Sequence, residues 1–331
     1  MQVRGCDVTS LSRSHSALQT PLWAAVKEEH GWHAYGFTIE RGGRVSDLLV
    51  LSRTLAGPFA MAYIPFGPDD IGLGELASLA EALKPLLGRH TFVLRVDLPF
   101  TAPVCTDYGP WVPCPHSIQP EATIRMDLSP GYDAIIRAYH ERARRALKKC
   151  RQHNLLVDEW RGEAGVFDSF CELYRHTAER EGFFPRSRSY LATLVGSGGE
   201  GDIRLLTATL SGELVAAIIV LFSEREALYL IGASRRLEGI SPSYALQDRA
   251  IAMACERGCT VYDLYGVGGP DGRDGHLASL ELFKRSFSGV RIERPPTLDW
   301  AYRPLLWRLF RVAEGLRYAL LRLRRSLRRV P

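Results

Sequence analysis

Residues 203–267 decide the fold: IRLLTATLSGELVAAIIVLFSEREALYLIGAS over Ile203–Ser234, then, after Arg235–Ile240, SPSYALQDRAIAMACERGCTVYDLYGV over Ser241–Val267. Apolar runs rich in β-branched residues, broken by short polar turns, read as strands. Three follow one another: Ile203–Leu210, Leu214–Phe222 and Ala227–Ala233, the first two joined at Ser211-Gly212-Glu213. Turns this short make the set an antiparallel meander. Ser241 then caps a helix with Pro242 at its first position, and Gly258 stops it. Val261–Tyr265 reads as a further strand and His276–Phe287 as a further helix.

Outward from this core, Gly131–His153 reads as one basic helix and Gly165–Arg180 as an amphipathic one, with Phe167, Phe170, Leu173, Tyr174 and Thr177 on a common face. Arg188–Leu194 gives a short helix. The first part repeats the pattern more weakly. Pro21–His30 and Leu73–Leu87 read as helices, Trp32–Ile39, Arg44–Ser52 and Thr91–Val96 as strands, and Leu98–Pro120 as a Pro-rich loop. Helices, a meander, a helix, a strand and a helix make a mixed α/β class, which resembles the GNAT acyltransferase core. Two copies suit 331 residues at roughly 150 residues per domain. The expected division is 1–122 and 123–295, followed by a helical segment 296–331.

Composition narrows the function. With 46% hydrophobic and 24% charged residues the chain is an ordinary globular protein. The longest apolar run, Ala216–Phe222, is far short of the ~18 residues of a spanning helix. The N-terminus lacks the apolar core of a secretory signal, so the expectation is a cytoplasmic protein. Cys6, Cys105, Cys114, Cys150, Cys171, Cys255 and Cys259 form no CxxC pair. They read as reduced structural thiols, and no metal site is expected. The net charge of +5 is unevenly spread. Arg303–Arg329 holds nine arginines and one acid, Glu314, and Arg137–Arg151 holds seven cations against Glu141. Such patches point to phosphate, nucleic acid or anionic lipid. In the terminal segment Leu305, Leu306, Leu309, Val312, Leu316, Leu320 and Leu323 alternate with arginines. That pattern suits a helix at the inner face of an anionic membrane, or one docked on the first domain.

Several blocks, in order, resemble the FemABX family of peptidoglycan aminoacyltransferases. They are LQTPLWAAVKEEHGW (Leu18–Trp32), RARRALKKCRQHNLLV (Arg142–Val157), LYRHTAEREGFFPRSRSYLATL (Leu173–Leu194), ELVAAIIVLFSEREALYLIGAS (Glu213–Ser234), the Ser241–Val267 block and LELFKRSFSG (Leu280–Gly289). The resemblance implies two tandem GNAT-like domains without a coiled-coil arm, the first completed by the C-terminal segment 296–331, acting as a monomer. It implies transfer of an amino acid from aminoacyl-tRNA, as co-substrate and with no other cofactor. The acceptor would be the stem-peptide amine of lipid II or of UDP-MurNAc-pentapeptide, building an interpeptide bridge.

The resemblance also implies site residues. Lys284, after Phe283, matches the lysine that stabilises the tetrahedral oxyanion; the plain alternative is a solvent-facing helix lysine. Lys27 and Arg186 match the residues that hold the acceptor's diphosphate, and Tyr190 a tyrosine lining that site. Lys27 reads otherwise as the polar face of its helix and Tyr190 as core, while Arg188 is close enough to Arg186 to exchange registers. Asp97 falls where the family has an acid near the acceptor; it would accept the amine proton or cap a loop. A family tyrosine of the third meander strand is replaced by Ile231, which would remove a hydroxyl. His276 reads as a cap. The basic 137–151 segment would hold the tRNA acceptor arm or be only a solvated face. Two other readings stay open: an acyl-CoA N-acyltransferase, from the phosphate-loop-like Arg236-x-x-Gly239-x-Ser241, and a non-enzymatic RNA- or membrane-surface protein.

Overall fold

The computed structural model describes residues 1–197, 202–268 and 275–327. In chain order the strands are β1 (Gln2–Cys6), β2 (His33–Arg41), β3 (Arg44–Ala56), β4 (Phe59–Ile64), β5 (Thr91–Val96), β6 (Val112–Pro113), β7 (Ala122–Asp127), β8 (Leu156–Glu159), β9 (Ile203–Leu210), β10 (Glu213–Phe222), β11 (Glu226–Ser234), β12 (Val261–Asp263), β13 (Val290–Glu293) and β14 (Leu298–Ala301). The helices are α1 (Pro21–Glu28), α2 (Leu73–Leu83), α3 (Tyr132–Ala138), α4 (Glu141–Gln152), α5 (Val166–Glu181), α6 (Arg188–Ser197), α7 (Pro242–Glu256), α8 (Gly275–Arg285) and α9 (Pro304–Leu327).

Two sheets share one plan. The first runs β1-β2-β3-β4-β5-β14-β6 and the second β13-β7-β12-β11-β10-β9-β8. In each, three antiparallel strands lead through a helix to a strand parallel to the third: β2-β3-β4, α2, β5 and β9-β10-β11, α7, β12. An antiparallel strand then flanks the parallel one, β7 beside β12 and, from the far end of the chain, β14 beside β5. The mixed α/β tandem architecture expected from the sequence is the one observed.

The halves differ at the parallel pair. β4 and β5 stay paired from Ala60 to Ile64, through one register shift between Ala60 and Met61. β11 meets β12 only over Glu226–Leu228, and its remaining residues diverge from that neighbour. The second sheet therefore opens a wedge where the first is closed.

The sequence reading is corrected in places. Gly131–His153 is two helices, because Tyr139 and His140 adopt extended backbone between α3 and α4. Buried Tyr139 packs on Phe287, with ring centroids 5.2 Å apart, and the His140 N–H donates to the Ser286 carbonyl at 3.0 Å. Tertiary contacts override helix propensity here. α2 ends before Pro85, which cannot continue a helix. The Asp299–Arg329 segment is not helical throughout: it starts inside β14.

One core spans both halves. Leu18, Trp23, Tyr63 and Phe66 of the first pack with Phe170, Leu205, Ile219 and Leu228 of the second. A separate buried network seats α9. Arg95, 2% exposed, donates from Nε and Nη2 to Asp299 at 2.7 and 2.9 Å and from Nη1 to Glu314 at 2.7 Å. Removing one partner of such a network leaves buried charge uncompensated. Arg95→Met should therefore lower unfolding stability by about 3–5 kcal/mol in urea denaturation.

Candidate active site

The wedge beside β11 is a cleft of about 680 Å³, lined among others by Arg142 of α4, Tyr229 and Gly232 of β11, Tyr244 of α7, and Phe283 and Lys284 of α8. Lys284 is not solvent-facing; it is 4% exposed. Its Nζ donates to the carbonyls of Tyr265 and Gly266, the latter at 2.6 Å. Both residues have positive φ, +55° at Tyr265 and +24° at Gly266. A non-glycine residue in that region is held there by its surroundings. Here Asp263 does so, accepting the Tyr265 N–H at 2.7 Å. The turn aims two successive carbonyls at one ammonium. An ammonium has three donors, so one is left for the cleft. Burial pulls Lys284 down to about 7, opposed by the Asp263 charge.

Phe283 is a wall of the cleft. It stands edge-on to Tyr244 with centroids 4.8 Å apart and packs on Phe287. A phenyl ring offers no proton, so its part is to place Lys284 and exclude water.

β11 carries a bulge. Ile219 pairs with Ile231 and Val220 with Tyr229, which leaves Leu230 as the extra residue. A bulge changes which face the following side chains take. Ile231 joins the core between the halves, while Tyr229 turns to the other face. Its ring lies 5.5 Å from Lys284 Nζ. Tyr229, two residues before Ile231, is thus the tyrosine of β11 that lines the cleft. Gly232 makes this possible, since a Cβ there would sit 1.8 Å from the Tyr229 hydroxyl.

The structure brings Lys27, Arg186 and Tyr190 together. Lys27 Nζ donates to the Tyr190 hydroxyl at 3.0 Å and lies 4.3 Å from the Trp23 ring centroid. The Arg186 guanidinium stacks 5.3 Å over Tyr190. Arg188 points elsewhere, pairing with Asp168 at 2.6 Å, so the register falls on Arg186. Burial first, then the charges of Arg186 and Arg53, pull Lys27 down to about 7. An anion beside Lys27 would favour its charged form again. Tyr265 links the two regions. Its carbonyl holds Lys284, while burial and the Asp97 and Asp263 charges raise its hydroxyl pKa and nearby Arg186 opposes them.

Asp97 is a correction. It is fully buried and its oxygens are engaged by Tyr63, Thr297, the Gln119 N–H at 3.2 Å and Arg294 at 3.0 Å. Such a carboxylate joins the halves and is not disposed to accept an amine proton from a cleft. The His276 side chain and residues 269–274 of the glycine-rich stretch lie outside the described residues. Sequence reasoning missed Tyr229, Gly232 and Asp263. The YDLYG run held a signal for the last, an acid two residues before a Tyr-Gly turn.

Residues 137–276 match the acetyltransferase (GNAT) domain family. Over 419 aligned positions the chain is 20% identical to the lipid II:glycine glycyltransferase of Staphylococcus aureus (strain COL), covering 99% of each protein. Among solved structures it is similar to FemX, with TM-score 0.77 and 18% identity over 94% of this chain and 100% of that one. It is also similar to the C-terminal domain of a putative lysylphosphatidylglycerol synthetase from Agrobacterium fabrum, with TM-score 0.51 and 11% identity over 86% and 87%. The chain thus resembles the FemABX family over nearly its whole length. The protein is an acyltransferase built of two GNAT-like units. Among the described residues no helix is long and apolar enough to cross a membrane.

Two lysines depressed from 10.5 to about 7 tie stability to pH. Between about pH 7 and 10.5 the unfolded chain binds more protons at these sites than the folded one, so their contribution to stability rises with pH. Below that window both states are protonated and the penalty is complete. The double variant Lys27→Met/Lys284→Met should therefore lack much of the gain that the wild type shows between pH 7 and 9.5 in urea titrations.

Proposed function

We propose that the protein transfers an amino acid from aminoacyl-tRNA to the stem-peptide amine of a peptidoglycan precursor. The observation that carries this reading is Lys284, a buried ammonium with one donor left, at the edge of a cleft whose lining includes an arginine of the basic helix α4. The S. aureus relative named a lipid II:glycine glycyltransferase supports the acceptor class. The tRNA donor rests on the family resemblance and on charge. Arg142, Arg144, Arg145, Lys148 and Lys149 are exposed on α4, while Ala143, Leu147 and Cys150 face the core. Phosphate contacts dominate nucleic-acid affinity, so this row suits an acceptor arm whose charged end enters the cleft beside Arg142.

The chemistry is ester aminolysis. The neutral acceptor amine attacks the ester carbonyl, a C–N bond forms and the oxygen becomes an oxyanion. Lys284 donates its remaining N–H to that oxygen. The C–O bond to the tRNA ribose then breaks, and the ammonium formed on attack gives its proton to the leaving hydroxyl. The Lys27–Arg186–Tyr190 cluster would hold the acceptor's diphosphate. Arginine binds phosphate as a fork and lysine as a point charge.

One observation favours a second reading, acyl-CoA N-acyltransfer. The 235–241 loop and the start of α7 line the same cleft, and a helix N-terminus can hold a pyrophosphate. Pro242, at the first position of α7, removes one of the N–H donors that would do so.

The test is a transfer assay with labelled aminoacyl-tRNA and, separately, lipid II or UDP-MurNAc-pentapeptide. Label should reach one acceptor, and Lys284→Met should lower kcat by roughly 10²–10³-fold. Arg186→Ala should act mainly on KM for the diphosphate acceptor, raising it about tenfold or more. Consumption of acetyl-CoA with no aminoacyl transfer would replace this reading by the second.

A further inference from the structure

The terminal helix α9 has two apolar faces, and the first domain covers only one. Leu306, Trp307 and Phe310 pack against Met61, Phe92 and Val93. Glu314, on the same side, is bound by Arg95. The opposite side carries Leu305, Leu309, Val312, Leu316 and Leu320, which are 76, 69, 63, 62 and 60% exposed. Spacings of four, three, four and four residues make these one stripe along the helix. Single exposed leucines are ordinary; a continuous row of five marks a contact surface.

The charge around the stripe selects its occupant. Arg308 and Arg317 are exposed on its two flanks. Glu314, the one acid between Pro304 and Leu327, is turned inward against Arg95. The outward face is therefore apolar along its centre and positive at its rims. From this geometry we infer that α9 docks the protein on an anionic phospholipid bilayer, lying along the surface with the Leu305–Leu320 stripe among the acyl chains. Arginines at the rim then meet lipid phosphates. A second copy fits less well, because apposed stripes would bring like-charged rims together. RNA has nothing to pair with five aliphatic side chains.

Docking would leave the fold intact, since the stripe is not the face that seats the helix. It is also independent of the proposed reaction, because the readout is lipid binding. The full-length protein would be sedimented with phosphatidylglycerol/phosphatidylcholine vesicles and with phosphatidylcholine vesicles. The wild type should pellet with the first and stay largely free of the second. Leu309→Glu/Leu316→Glu should weaken binding to mixed vesicles by at least about 30-fold, with the thermal midpoint unchanged. Arg308→Glu/Arg317→Glu should reduce the preference for anionic lipid. Leu309→Ser/Leu316→Ser serves in place of the glutamates if they lower the thermal midpoint. Failure of the wild type to bind, or equal binding by the stripe variants, would overturn the inference. So would light scattering that shows a dimer split by the same leucine changes, which would assign the stripe to a second copy.

Discussion

A buried ion pair between Asp97 and Arg294 holds the halves of this protein in register. Both side chains are fully buried. Removing two charges from water costs several kcal/mol each unless their remaining donors and acceptors are satisfied. Here they are: Arg294 also donates to the carbonyls of Gln119, Pro120 and Pro295, and Asp97 accepts from Tyr63, Thr297 and Gln119. The pair joins the end of β5, the connection into β7 and the crossover from β13 to β14. Gln119 passes the constraint on, accepting from the Tyr265 hydroxyl, while the Tyr265 carbonyl holds Lys284. The position of the candidate catalytic ammonium is thus set by a network rooted in the other half of the molecule.

One fold plan used twice has diverged through strand pairing. In the first half β4 and β5 remain paired, and the strand beside them comes from the C-terminal segment, bringing α9 with it. In the second half β11 pairs with β12 only as far as Leu228, the bulge at Leu230 turns Ile231 into the shared core while Tyr229 faces Lys284, and a cleft lies beside β11. The same plan therefore yields a closed support in one half and a site in the other. The support also carries α9, whose exposed apolar stripe lies on a different element from the cleft.

Much of this was legible in the chain. The Ile203–Ser234 meander, the Ser241 cap with Pro242 and the Gly258 stop mark their elements through turn chemistry and alternation, which act over a few residues. Lys284, Lys27, Arg186 and Tyr190 were reached through the blocks shared with a family, and the structure groups the last three. Asp97 could not be read correctly. A buried carboxylate and a catalytic one look alike until their partners, up to 200 residues away, are in place. Tyr229 was missed for a related reason: a bulge changes facing without altering composition.

What the sequence by itself determined is local: hydrophobic period, caps, turns and the charge of α4 and α9, all set by neighbours within a few positions. What only the tertiary structure decided is environment. It buried Lys284 against two carbonyls, chose Arg186 over Arg188, split the basic helix at Tyr139 and showed which face of α9 is covered. Each outcome depends on desolvation and packing against residues far away in the chain, and no local pattern encodes which distant atoms will surround a side chain.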